Sequence, residues 1–528
     1  MLFEKRTITI VLIFTVLFFG CLNPTQNQNT TTGNISKNES NGTSTTSTAE
    51  PPPTNNQTSE DTVTNYAPPK NTDISRLYGT VMQVDLSTLP VDVTDYTSYR
   101  PYYVATTGND DNDGTLQQPF ATIEHALEVA TEGDAVFIRG GTYKSNILLI
   151  TQSNFVLAAY NNEQVTLTQL STNPEWDWNE DTAIQIDGGT QNIVVDGLTI
   201  AGFTQGIIYG DPQTQKNLRF KNIKLKDGDS GIGNNYPEHS AYLVDGLLIK
   251  NVVMENMTGI GINCGDEVNS CARNVLIQDV QVRGKVNPND DTGVDTLAMV
   301  KSDNILVLDS IFANAPGDGL DFKSTRVAVV NTKAVNPTRN GIKFWHDGEI
   351  INCLVYGTGA DAAIVFESPE SGTNFRMINS VIAQHNIRVP DAERSSYAMT
   401  LNYDTPTSQT SIEMKNNIIY DMPGPIYING QSSVDIQNNI FYRFINGDAL
   451  FEYADEFIGI DALNSKSYAN ENKYTDPKFV NPGQGDFTLM SGSPALDSGL
   501  TEERIPKFDI NWKSRPQGSG IDLGPHEK

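Results

Sequence analysis

The chain is short of positive charge. Its 528 residues hold 36 lysines and arginines against 64 aspartates and glutamates, a formal net charge of −28. Nucleic-acid binding needs a basic footprint on phosphates, so that class of partner is excluded. Acidity of this degree suits solubility outside the cell and the binding of divalent cations, and an anionic substrate only where a cation or a local basic patch offsets the field. Cysteine is scarce as well, with four in all, and their spacing gives no zinc site. Cys264 and Cys271 flank the short loop 265–270, which suits a disulfide in an exported protein, and Cys353 sits in a strand pattern and reads as core. At the N-terminus the apolar run Ile8–Phe19, broken only by Thr9 and Thr15, falls short of the ~20 residues of a membrane span.

Preceded by Lys5 and Arg6, that run reads as an export signal over residues 1–20. Gly20-Cys21 ends it like a lipoprotein processing site, with Cys21 as the lipidated terminus. The expected location is extracellular and anchored to the cell surface, touching the membrane only through this anchor, and the expected state is a monomer. Residues 21–75 collapse to Asn, Thr, Ser and Pro and cannot bury enough apolar surface to order themselves. They read as a disordered stalk, and Asn29, Asn34, Asn38, Asn41 and Asn56 each open a glycosylation sequon.

The remainder is organised by a repeat. Aliphatic residues flank an Asn or Asp at 196, 222, 251, 279, 309, 331, 352, 379, 416 and 438, with spacings of 26, 29, 28, 30, 22, 21, 27, 37 and 22 residues. A unit of this length with one or two short strands is a solenoid signature. Asn and Asp tolerate the left-handed backbone that a bend between strands requires, and an inward amide can bond the next rung. A leucine-rich repeat would need a Leu pattern that is absent, and propeller blades are longer, about 40 residues. The reading is an all-β, right-handed parallel β-helix over residues 76–460, with an N-terminal cap at 102–143 and a closing segment at 461–528. In the cap, Ile123, Ala126, Leu127 and Ala130 fall at helical spacing behind Pro119, and the Asp cluster at 110–113 reads as a polar turn.

Four segments share one alternation: Gly261-Ile-Asn263-Cys264, Gly293-Val-Asp295-Thr296, Gly319-Leu-Asp321-Phe322 and Gly341-Ile-Lys343-Phe344. Stacked in register, they project Asn263, Asp295, Asp321 and Lys343 from one outer face, on rungs ~4.8 Å apart. Asp290 and Asp291 precede the second segment and Asp318 precedes the third. Carboxylates so crowded repel one another unless a cation sits between them, and calcium takes six to eight oxygen ligands. Lys343, one rung above, becomes a base if its pKa is lowered by that ion and by cationic neighbours such as Lys323 or Arg339. These parts suit β-elimination from a uronic-acid polymer, with Trp345 stacking on a sugar ring and Lys323 or Arg339 pairing a second carboxylate.

The stretch 102–143 and the terminal segments Asp476–Val480, Gly485–Leu489, Gly492–Asp497 and Gly520–Gly524 resemble exported β-helix proteins of the pectate lyase type. Asp318-Gly-Leu-Asp321 followed by Asn340-Gly-Ile-Lys343 resembles the family 9 polysaccharide lyases. The resemblance implies calcium held by Asp295, Asp318 and Asp321 with Lys343 as base. It departs at Gly317, where the family pattern has another Asp, and Asp291 or Asn263 would then supply the missing ligand. Two rival readings remain. One is an inverting hydrolase of the polygalacturonase kind using Asp295, Asp318 and Asp321, although its Gly-His-Gly motif is missing. The other is a non-catalytic glycan-binding adhesin.

Overall fold

The structure, a computed structural model, describes residues 69–169, 181–210, 213–234, 244–265, 270–285, 293–359, 362–384, 397–445, 450–453 and 456–528. The export signal, the sequons, most of the stalk and Asp290 and Asp291 lie outside the described residues. Most strands stack as a parallel coil, pairing with counterparts in the neighbouring turns, while Phe451–Tyr453 pairs antiparallel with Glu456–Ile458 and Phe479–Asn481 with Asp486–Leu489.

Alternation dictates the packing. One inward row runs Ile232, Ile262, Leu297, Leu320, Ile342, Ile364, Met399 and Ile426 on successive rungs. Two residues further along each strand lie Met299, Phe322, Phe344, Phe366 and Leu401. The three phenylalanines stack with centroids 5.4 and 5.7 Å apart and planes within 14° and 8°. All of these residues are buried in one continuous core. The residue between the two rows has to point outward.

The repeated Asn or Asp performs the turn. Nine of the ten positions take the left-handed region, among them Asn222 at φ 53° and Asn352 at φ 54°. At Asp196 the following Gly197 adopts it instead, at φ 79°. The amides also bond between turns: Asn222 Nδ2 donates to Asp196 Oδ1 at 2.6 Å, and Asn251 Nδ2 to Asn222 Oδ1 at 2.7 Å. These bonds lie at the exposed edge of the coil and tie one turn to the next.

The N-terminal cap is the helix Ile123–Val129, with Thr122 Oγ1 accepting from the His125 amide and Ile123, Ala126 and Leu127 buried. The nearby acidic turn is a polar turn, since Asp110 accepts from the amides of Ala121 and Thr122, and Asp113 from that of Thr115. Cys264 and Cys271 form a disulfide and Cys353 is buried.

Two segments strap the coil lengthwise. Residues 69–75, assigned above to the stalk, bond to it directly, with the amides of Lys70 and Asn71 donating to Asp279 at 2.6 and 2.9 Å. The strap then passes Asn304 through the Asp85 amide, Lys221 and Lys250 through Asp92, and Asp196 through Tyr96. Leu77, Val81, Val84, Leu86 and Leu89 cover an outward apolar row that includes Leu248, Leu276, Leu306 and Ala328. The closing segment also runs along the coil, with Asn438, Asn379 and Asn352 donating to Ser498, Asp522 and Phe508 carbonyls and Trp512 Nε1 to Asp309.

Candidate active site

The outward row on the strands Leu297–Leu308, Leu320–Val330 and Ile342–Phe344 reads Ala298, Asp321, Lys343, with Asn263 on the rung before. Asp295 is not in this row. The strand begins at Leu297, so Ala298 holds the position opposite Asn263, and Asp295 lies three residues earlier in the preceding turn. The segment from Gly293 imitates the alternation of a strand, but Leu297 and Met299 are the residues that enter the core.

Asp295 joins the site through a second column made of turns. Its Oδ1 accepts from the Asp318 amide at 2.7 Å, and Asp318 Oδ1 accepts from the Asn340 amide at 2.9 Å. Asn340, to which the sequence assigned no role, is fixed in turn by its Nδ2 donating to the Ala362 carbonyl at 2.6 Å. The turn column thus delivers Asp295 and Asp318 beside Asp321 of the strand row, and carboxylate oxygens of the three lie within 4.8 Å of one another. Asp318 and Asp321 are 4% and 7% exposed. Burial, and then the charges of Asp318 and Asp321, push the Asp295 carboxyl well above the usual range, against the Asp318 amide and Lys343.

Lys343 Nζ stands 3.6 Å from Asp318 Oδ2 and 5.6 Å from the centroid of the Trp345 ring. Its side chain is 17% exposed. Phe344, locked in the aromatic stack, holds the strand on which Lys343 faces outward. Trp345 follows it, its amide donating to the Phe322 carbonyl at 2.8 Å. Lys323 projects from the same face as Asp321, two residues on, and is half-buried. The Arg339 amide donates to the Gly317 carbonyl at 3.0 Å, and its guanidinium would lie 3.4 Å from a Cβ placed on Gly293. The structure therefore gathers Asp295, Asp318, Asp321, Lys343 and Trp345, with Lys323 on the strand of Asp321 and Arg339 against the Asp295 turn. Asp291 lies outside the described residues.

Gly317 has a steric reason. A Cβ there would meet the Gly293 carbonyl carbon at 2.6 Å, the Val294 nitrogen at 2.7 Å and Asp295 Oδ1 at 2.8 Å. The close approach of the two turns that brings Asp295 onto Asp318 leaves no space for an aspartate at this position.

All-oxygen carboxylate donors fit a hard cation such as calcium and not a soft metal. Three carboxylates are half of a calcium shell, leaving positions for water or substrate oxygens.

Residues 102–256 match a family model described as Pel9A-like, right handed beta helix region. Among curated proteins, pectate lyase PEL9 of Emericella nidulans is 42% identical over 72 residues, 12% of this chain and 17% of that protein. The uncharacterized protein YwoF of Bacillus subtilis is 35% identical over 103 residues, 19% of this chain and 21% of that protein. The chain therefore aligns with about a fifth of the length of these relatives. Among solved structures, pectate lyase Pel9A is 14% identical, covering 82% of this chain and 97% of that one at a TM-score of 0.42. A rhamnogalacturonan lyase is 13% identical, covering 77% and 94% at a TM-score of 0.35. The shared ground is thus a pectate-lyase-like right-handed β-helix, matched to the Pel9A-like family over residues 102–256, with the carboxylate and lysine rungs lying beyond that stretch.

Proposed function

We propose that this chain is a calcium-dependent polysaccharide lyase that cleaves a uronic-acid polymer by β-elimination, with Lys343 as the base. One observation carries the reading: three carboxylates converge within 4.8 Å, and a lysine amine stands 3.6 Å from one of them. Asp295, Asp318 and Asp321 would hold the calcium ion, which when bound would supply positive charge to the C6 carboxylate of the sugar and make the C5 proton more acidic. Lys343 Nζ takes that proton. The freed electron pair forms the C4–C5 double bond as the C4–oxygen bond breaks, and the leaving oxygen is protonated from solvent. Trp345 offers a stacking face for a sugar ring beside Lys343, and Arg339 or Lys323 pairs a neighbouring carboxylate.

The hydrolase reading asks more of the geometry. An inverting acid and base stand ~6.5–9.5 Å apart to admit water, whereas these carboxylates crowd within 4.8 Å. In the same proposal the export signal and Cys21 tether the coil outside the cell. Among the described residues no helix is long and apolar enough to cross a membrane.

The test is to incubate the chain with polygalacturonate and related uronans, with and without calcium. Absorbance of the unsaturated product, abolished by chelation, supports the lyase. New reducing ends without that absorbance mean hydrolysis, and binding without cleavage means an adhesin.

A further inference from the structure

The row that carries Asp321 and Lys343 continues toward the C-terminal rungs as Val365, Thr400, Tyr427 and Glu452. Tyr427 lies three rungs from Lys343, about 14 Å at ~4.8 Å per rung. Val365 and Thr400 between them are buried, and the row resurfaces at Tyr427, which is half-buried. Its ring meets those of Tyr397 and Tyr403 at centroid distances of 5.5 and 5.1 Å, and those two meet each other at 5.6 Å, all at steep angles.

The cluster is held from beneath. Glu367, fully buried two residues past Val365 of this row, accepts from the Tyr403 amide at 2.8 Å, the Asp404 amide at 3.2 Å and the Thr405 hydroxyl at 2.9 Å. The Tyr397 phenol donates to Glu452 Oε2 at 2.8 Å. Burial, followed by that bond, pushes the phenol above its ordinary pKa, so it stays a donor. The Thr400 hydroxyl, one rung below Tyr427, meets no hydrogen-bond partner among the described residues. Preorganised rings lose little conformational freedom when a sugar stacks on them.

We propose that Tyr397, Tyr403 and Tyr427 form a distal sugar subsite, which takes a pyranose ring of the same polymer whose cleaved bond lies at Lys343. This rests on the lyase reading above. Among the described residues the row offers no cation beyond Lys343, and Glu452 is acidic. The subsite therefore grips its sugar by the C–H face and hydroxyls and not by the carboxylate.

The experiment is calorimetric binding to the full chain in a Lys343→Ala background, with calcium, using a galacturonate disaccharide and a galacturonate oligomer long enough to cover three rungs. Tyr427→Ala is expected to weaken the long oligomer about five- to tenfold and to leave the disaccharide unchanged. Tyr403→Ala, which keeps the backbone bond to Glu367, should act alike and covers the case in which Tyr427→Ala fails to fold. Equal loss for both ligands, or loss for neither, overturns the subsite while leaving the lyase reading standing. Failure of the Lys343→Ala parent to bind either ligand overturns both.

Discussion

The Lys343 amine lies 3.6 Å from Asp318 Oδ2, an ion pair that joins two adjacent rungs and couples the proposed base to a proposed calcium ligand. The same carboxylate is anchored through its other oxygen by the Asn340 amide at 2.9 Å. Replacing Asp318 by Asn removes one of three charges from the cluster. Calcium affinity should fall at least about tenfold, as loss of groups that hold a metal site generally does, and a calcium titration of the variant checks it.

Gly317 gives a sharper test because restoring the family-like residue should do harm. The Cβ of Gly317→Asp meets backbone at 2.6 and 2.7 Å and Asp295 Oδ1 at 2.8 Å. Separating the two turns should cost about 1–3 kcal/mol of stability and lower calcium affinity. Thermal unfolding and a calcium titration measure the two effects, and a tighter calcium site in the variant would contradict the steric account.

Asp295 sets a pH dependence. Its carboxyl is held above the usual range by burial and by Asp318 and Asp321, and calcium binds only the deprotonated form. Calcium affinity should therefore fall on acidification while ordinary carboxylates, near pKa ~3.9, are still ionised. Without calcium the sign for stability is opposite. A folded-state pKa above the unfolded value favours the fold at low pH, and that contribution is lost as pH rises through the raised value. Calcium titrations across this range check the first statement, and melting temperatures in chelator check the second.

The misplacement of Asp295 shows what the sequence could carry. Small–aliphatic–polar alternation locates Asp321 and Lys343 correctly because Leu320, Phe322, Ile342 and Phe344 are all core. The run from Gly293 has the same look, yet its residues form a turn, and only the ladder pairing Asn263 with Ala298 distinguishes the two. Proximity to Asp318 arises from stacking of turns, which no periodicity within one segment encodes. The Asn and Asp bends were legible because a single backbone conformation selects them. The strap at 69–99 was not, because Leu77, Val81, Val84, Leu86 and Leu89 hold no single period along the segment and find their partners some two hundred residues away. The three tyrosines come from two rungs and were likewise invisible as a cluster.

Acid stability should be limited by the charged network that ties both straps to the coil. Burial alone would raise the Glu413 carboxyl, but Lys415 and Arg376 outweigh it and hold it below the ordinary value. Arg376 also donates to the Thr80 carbonyl of the strap at 3.1 Å and to Glu349 at 2.7 Å. A depressed carboxylate stabilises the fold above its unfolded pKa, about 4.3 for Glu, and the contribution is lost as pH falls through the folded value. The melting temperature should drop in that window, and Glu413→Gln should be less stable at neutral pH with a shallower acid dependence.

In the proposed reaction Lys343 removes the proton while the carboxylates only hold the cation. The most direct measurement compares Lys343→Ala with the parent for two quantities at once, calcium affinity and formation of unsaturated product from a uronan that the parent cleaves. The rate should fall about 10²–10⁴-fold with calcium still bound. A variant that keeps its rate, or that loses activity only because it no longer binds calcium, would contradict this role for Lys343.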